Sequence, residues 1–255
     1  MTDSIHPSTL ARERASPEEW LPPWTRAEHE ARYRFAAEYV RDRVVVDCAC
    51  GNGLGSAVFL GHGPRRFVGV DAHPEAVARA TSAHASPTAS FVCADATALP
   101  LDTGSCDLFI SLETIEHIGA DRAFVAEASR VLRAEGMLIC STPNRNVTNP
   151  GLASEGRPWN PFHVREYSSR EFEDLLGEHF VIEGAYGQNP NRKAKIAVLA
   201  WLGRHVHRLL PVRINQILKC RWFLLAQPRV HAVRPCDPSW DYEYLVLVCR
   251  RKPQP

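Results

Sequence analysis

Two carboxylates and an imidazole crowd into five positions of the stretch SLETIEHIGADRAF: Glu113, Glu116 and His117, at i, i+3 and i+4. A helical backbone there would place all three on one face. Like charges at i, i+3 repel by a few tenths of a kcal/mol even on an exposed helix, so either something offsets the repulsion or the face is simply solvated. A second group, His163 and Glu166, follows in NPFHVREYS. Carboxylates and imidazoles in an open site can relay a proton or hold Mg²⁺, Mn²⁺ or Fe²⁺, and suit these ions better than a structural zinc. The same residues can also be purely structural, a glutamate capping a turn and a histidine packed under a loop.

The elements that must position them alternate. RVVVDCA is a short β-branched run, as in a strand buried on both faces; GNGLGSAVFLG is a glycine turn opening a helix. RFVGVD, SFVCAD, CDLFISL and MLICSTP read as further strands. HPEAVARATSAH is a helix with Pro74 in its first turn, and ADRAFVAEASRVLRAEG an amphipathic helix with Phe124, Val125, Ala128, Val131 and Leu132 inward and Gly136 as its C-cap. The expected fold class is α/β: a doubly wound, Rossmann-like, seven-stranded, mostly parallel sheet with a basic, partly helical insert before the last strand. After residue 143 comes a long loop, NRNVTNPGLASEGRPWNPFHVREY, then a helix announced by the capping box Ser168 to Glu171, then the strands FVIEGAYG and YEYLVLVCR.

The expected division is a loose N-terminal segment, 1–25, a catalytic domain made of 26–185 plus 240–252, and an insert, 186–239, acting as lid or substrate-recognition element. No Asp or Glu occurs from Gly184 to Arg234, which carry Arg192, Lys193, Lys195, Arg204, Arg208, Arg213, Lys219, Arg221 and Arg229. A basic appendage thus sits on an acidic body, although the net charge of the 255 residues is only +1. Hydrophobic residues make up 45% and charged ones 23%, an ordinary globular composition. Eight cysteines form no CxxC; Cys48, Cys93, Cys140 and Cys249 read as small buried hydrophobes. No apolar run reaches the roughly 18 residues of a membrane span, and the first residues hold no apolar signal core. The expectation is a reduced, cytoplasmic protein, peripheral at the membrane if the insert's alternating apolar and basic residues form a surface helix.

Gly51, Gly53 and Gly55 follow the first strand and open a helix, where the main chain can approach a ligand. Asp71 ends the next strand about twenty residues on, placed for ribose hydroxyls, and Asp95 ends the third. Ser56 stands where a dinucleotide GxGxxG would need glycine, and no lysine follows for a P-loop. Asp47-x-x-Cys50-Gly51-x-Gly53, Asp71, CADATALPLDTGSCDLFIS and RVLRAEGMLICSTPN resemble the class I S-adenosylmethionine-dependent methyltransferases over residues 29–185. Ala49 departs from the family's usual glycine. The resemblance implies that Gly51 and Gly53 abut the methionine half of the cofactor, Asp47 orients its amino group, Asp71 holds the ribose and Asp95 with Ala96 the adenine, with Ser111 beside them. EHEARYRFA looks like the helix that covers the cofactor in bacterial members acting on glycans and glycolipids, with Tyr33 a cofactor contact or simply core.

Methyl transfer displaces a sulfonium, so the cofactor brings its own leaving group, but an alcohol acceptor with a pKa of about 16 needs a base or a Lewis acid at neutral pH. E-x-x-E-H followed by a histidine after STPN is similar to the metal-binding set of the small-RNA terminal 2′-O-methyltransferases, and the first half also resembles quinone-pathway O-methyltransferases. That resemblance implies Glu113, Glu116, His117 and His163 as ligands of one Mg²⁺ or Mn²⁺, with Glu116, His117 and His163 catalytic; a metal-free His117 or His163 base stays open beside it. NPFHVREYSSREFEDLL looks like bacterial methyltransferases of surface glycans and glycosylated natural products, with Trp159, Phe162 and Tyr167 as faces for sugar rings or as loop anchors. The expected activity is O-methylation of a hydroxyl on a sugar, glycan or glycosylated small molecule. The alternatives are an RNA 2′-O-methyltransferase, disfavoured by the low basic balance, a metal-free N- or O-methyltransferase, and a non-catalytic cofactor-binding partner.

Overall fold

The computed structural model describes residues 23–193, 195–198 and 232–253. Expectations for residues 1–22 and for most of the basic insert fall outside these residues. One mixed eight-stranded sheet organises the rest: β1 Val44–Cys48, β2 Arg66–Asp71, β3 Ala89–Cys93, β4 Cys106–Leu112, β5 Leu132–Pro143, β6 Phe180–Arg192, β7 Arg234–Pro235 and β8 Trp240–Arg251, in the spatial order β3-β2-β1-β4-β5-β8-β6-β7. β1 to β5 are parallel, and β8 runs antiparallel to both β5 and β6. The two-residue β7, paired with Tyr186 and Gly187, is the strand beyond the expected seven.

Helices cover both faces, as a parallel sheet requires. On one face α1 (Pro23–Ala37), the turn after it and α2 (Leu54–Leu60) bring Ala36, Val40 and Phe59 onto Val45, Phe67 and Ile110. On the other, α4 (Asp121–Val131) and α6 (Ser169–Leu176) set Phe124, Val125, Ala128 and Phe172 against Phe109, Leu138 and Leu247. α3 (Pro74–His84) joins β2 to β3, and a four-residue helix α5 (Arg145–Thr148) follows β5. The expected capping box of α6 is present, with Ser168 and Glu171 exchanging hydrogen bonds.

Several expectations need correcting. α4 stops at Val131 rather than at Gly136: Leu132 is already extended and ladders with Cys106, and the chain turns at Glu135, φ 60°. Cys93 is exposed because it ends the edge strand β3, where one flank has no neighbour. Tyr167 is no sugar platform; it is 1% exposed in the core, its hydroxyl donating to Asp121. β6 continues past 185 to Arg192, so the start expected for the insert lies inside a strand. Past the end of β5 at Pro143, which pairs with Tyr244, β6 and β8 run on as a two-stranded ribbon, pairing Pro190 with Tyr242 and Arg192 with Trp240.

The β1–α2 turn carries the left-handed backbone that its glycines allow: Gly51 at φ 54° and Gly53 at φ 87°. A Cβ on Gly53 would stand 2.6 Å from His84 Cδ2. Ala49 is left-handed too, at φ 66°, where an L-residue bears a cost of about 1 kcal/mol. Ala49→Gly should therefore raise the unfolding free energy by up to about 1 kcal/mol in urea titrations, less the extra entropy of glycine in the unfolded chain. An unchanged or lower midpoint would show that the turn relaxes around alanine.

Candidate functional site

The carboxyl ends of β1, β2 and β3 line up Asp47, Asp71 and Asp95, at the edge where open parallel sheets take ligands. Asp71 is braced at both oxygens, accepting Gly51 N–H and His73 N–H at 2.9 Å each. It thereby fixes the glycine turn. Asp95 is exposed and takes the Thr97 amide and hydroxyl on Oδ1, both at 2.7 Å, which holds its carboxyl below the usual range. Ala96 beside it is half-buried. Asp47 is buried, accepting only the Ser56 hydroxyl at 3.3 Å. Burial lifts its pKa to about 7; the Ser56 bond opposes the rise and Asp71 adds to it. Ser111, fully buried in β4, has a hydroxyl with no partner among the described residues. Tyr33 packs its ring on Gly55 and edge-on to Phe59, where burial raises its hydroxyl well above the phenol range. Main chain left accessible by glycine, a buried carboxylate and a hydroxyl without a partner among the described residues are what a cationic, hydroxyl-rich nucleoside cofactor would satisfy.

The crowded carboxylates do not share a helical face. Only Ile115–His117 are helical, as one 3₁₀ turn, and Glu113 precedes it in a left-handed conformation, φ 54°. The chain separates the two glutamates. Glu113 Oε1 accepts the Ser141 hydroxyl at 2.6 Å and lies 3.8 Å from Arg32 Nε, a guanidinium only 1% exposed that also donates to Gln188 and stacks on Tyr244. Glu116 Oε2 accepts the Thr142 hydroxyl at 3.1 Å, while Oε1 lies 4.0 Å from His117 Nε2. Burial raises the Glu116 carboxyl well above the usual range, and neighbouring Glu113 pushes it further. Burial raises Glu113 as well, opposed by Arg32 and Ser141.

The loop after α5 folds back onto this turn. Val164 and Arg165 donate their amides to the Glu116 carbonyl at 2.8 and 3.2 Å, and the His117 ring, at Nδ1, meets the Phe162 carbonyl at 3.0 Å. His163 then stands edge-on to His117, ring centroids 4.9 Å apart. One donor atom each from Glu116, His117 and His163 fall within 4.8 Å of one another. Glu113, expected as a fourth ligand, falls outside this group and faces Arg32 and Ser141 instead. Both imidazoles are anchored at Nδ1, His117 by the Phe162 carbonyl and His163 by Glu166 at 2.7 Å. Imidazole, imidazole and carboxylate with anchored far nitrogens form a donor set that fits a divalent cation. Trp159 is 55% exposed and Phe162 half-buried on the same loop.

Sequence reasoning missed Arg32, Ser141 and Thr142. Arg32 sits beside Tyr33 in α1, but its pairing with Glu113 spans 81 positions (113 − 32). Ser141 and Thr142 are the ST of STPN, polar residues at a buried strand end, which is a signal for hydroxyls aimed at neighbouring turns.

A family model described as a methyltransferase domain matches residues 46–140. A "Probable S-adenosylmethionine-dependent methyltransferase" of Mycobacterium tuberculosis is 34% identical over 168 residues, covering 66% of this chain and 59% of that protein's length. The chain thus spans less than two thirds of this relative. A ubiquinone biosynthesis O-methyltransferase of Cereibacter sphaeroides is 26% identical over 179 residues, 62% of this chain and 72% of that protein. In fold, the YcgJ protein of Bacillus subtilis superposes with a TM-score of 0.61 at 17% identity, over 89% of this chain and all of that one. Residues 46–140 thus match a methyltransferase domain, carried on a Rossmann-like α/β fold. Among the described residues no helix is long and apolar enough to cross a membrane.

Asp47 keeps a proton in the folded state that the unfolded chain releases near 3.8, so its contribution is fully present below that value and lost as pH rises through about 7. Thermal stability of the cofactor-free protein should therefore fall between about pH 4 and about pH 7, and Asp47→Asn should flatten that fall. An equally steep profile in the variant would assign the proton to Glu113 or Glu116.

Proposed function

We propose that this protein transfers the methyl group of S-adenosylmethionine to a hydroxyl of a sugar, glycan or glycosylated small molecule, assisted by a divalent cation. The observation that carries this reading is the convergence of Glu116, His117 and His163 beyond β4 and β5, on the same sheet edge as the glycine turn. S-adenosylmethionine supplies an electrophilic methyl already bonded to its leaving group. What remains for the protein is to orient the acceptor oxygen and take away its proton. Gly51 and Gly53 give main-chain access, Asp47 would take the cofactor's ammonium, and Asp71 and Asp95 its ribose and adenine.

A cation held by Glu116, His117 and His163 would lower the acceptor's pKa as a Lewis acid. With Glu113 committed to Arg32, two imidazoles meet one carboxylate, which favours Mn²⁺ over Mg²⁺. Without the cation the same geometry gives a general base: His117, its Nδ1 turned to the Phe162 carbonyl, directs Nε2 toward Glu116. Trp159 offers an apolar face suited to a sugar ring. The RNA reading and a membrane-surface role both rest on the insert, outside the described residues.

Isothermal titration of metal-stripped protein with Mn²⁺ and Mg²⁺, S-adenosylmethionine present, should show a single site lost in Glu116→Ala. With radiolabelled cofactor and a panel of glycosides, lipid-linked sugars and quinols, Glu116→Gln and His117→Ala should lower transfer by about 10²–10⁴-fold while cofactor affinity stays within about threefold. No cation binding in the wild type would leave His117 or His163 as base and bring amine acceptors forward.

A further inference from the structure

We propose that Glu166 is a positioning residue of this site: a buried carboxylate that fixes the orientation and tautomer of His163, so that Nε2 is the ring nitrogen left to accept a proton or a cation. This rests on the reading that His163 belongs to the reacting site. Glu166 is only 2% exposed, and a carboxylate is expensive to bury unless its lone pairs are filled. They are filled with a definite direction.

The polarity of the whole chain of contacts can be read from its two ends, because each ends on a backbone N–H that can only donate. At one end Trp159 N–H donates to Asn149 Oδ1 at 3.0 Å, which turns Asn149 Nδ2 toward Glu166 Oε2, 2.8 Å away. The Thr148 hydroxyl reaches the same oxygen. Glu166 Oε1 is left for His163 Nδ1 at 2.7 Å, and an ionised carboxylate can only accept, so Nδ1 carries the hydrogen. At the other end Phe162 N–H donates to Asn160 Oδ1 at 3.1 Å, which turns Asn160 Nδ2 toward His163 Nε2 at 2.9 Å. That contact requires Nε2 to be an acceptor. Both ends assign the same tautomer, Nδ1–H.

The arrangement is that of a carboxylate behind a working imidazole, whether the imidazole binds a metal or takes a proton. The side chains of Asn149 and Thr148 both turn donors to Glu166 Oε2, so an acceptor-only carboxylate is the form the site is built around. In the resting state the Asn160 amide occupies Nε2, and an incoming cation or hydroxyl would displace it. Asn160 is therefore the stopper of the site and Glu166 its brace.

Glu166→Gln is the discriminating change. Asn149 Nδ2 still demands an acceptor, and the Thr148 hydroxyl can donate to the Asn144 carbonyl instead, so the Gln carbonyl turns to Asn149 and its amide faces His163 Nδ1. The ring then has to accept at Nδ1 and carry its hydrogen on Nε2. Long-range ¹H–¹⁵N correlation of ¹⁵N-histidine-labelled protein, at a pH where the imidazole is neutral, should show Nδ1–H for His163 in the wild type and Nε2–H in Glu166→Gln. Mn²⁺ affinity should fall about 10–100-fold in that variant. Asn160→Ala leaves the brace intact; it should keep Nδ1–H and bind Mn²⁺ at least as tightly as the wild type, which tests the proposal even if Glu166→Gln folds poorly. An Nε2–H wild type, an unchanged tautomer in Glu166→Gln, or a switched tautomer in Asn160→Ala would overturn it. The expected tautomers with no Mn²⁺ binding by the wild type would uphold the brace and count against the cation in the proposed function.

Discussion

The main-chain carbonyl of Glu116 holds the candidate site together. It accepts two amides, from Val164 and Arg165, while the Phe162 carbonyl three residues back meets the ring of His117. These contacts join a short turn after β4 to a loop that leaves the sheet after β5, and they do so through backbone groups that must be satisfied wherever they are buried. Everything distinctive follows from that seam. It places His163 edge-on to His117, near the buried Glu116 carboxylate, and it leaves the Trp159 side chain exposed.

Around that seam the sheet edge is unusually acidic for a buried region. Asp47, Glu28, Glu116, Glu166 and Glu243 are buried and Glu113 is half-buried, with Arg32 lying against Glu113 and over Tyr244. Uncompensated carboxylates in a low-dielectric site are costly, and the chain offsets the cost in different ways. Glu166 is stabilised by donors. Glu113 is held by a hydroxyl and a guanidinium. Burial raises the carboxyls of Asp47 and Glu116, which marks them as places where positive charge from outside would be stabilising. The sulfonium and the cation of the proposed reaction would both bring such charge, and the residues proposed for them lie on the same edge.

Much of this was legible in the sequence. The strand and helix rhythm, the glycine turn and the acidic strand ends follow from local periodicity and turn chemistry, which act over a few residues. So did the convergence of His117 with His163, because both stretches follow strands whose ends meet on one edge. The rest depended on distant partners. The helical spacing of Glu113, Glu116 and His117 misled, since a left-handed Glu113 interrupts the turn and Arg32, on the first described helix, claims its carboxylate. Tyr167 looked like a ligand face beside His163, but the strand-like bridge from Asn144 to Tyr167 carries it into the core. Edge exposure of Cys93 and the extension of β6 to Arg192 are set by sheet order, which no local pattern states.

The most direct measurement is a crystal structure with S-adenosylhomocysteine and Mn²⁺, using the anomalous signal of manganese. One peak bonded to Glu116, His117 and His163, with Glu113 still on Arg32 and Asn160 displaced from His163, is the expected result. Clear cofactor density along the glycine turn with no anomalous peak between those three side chains, or a peak that draws in Glu113, would contradict the account.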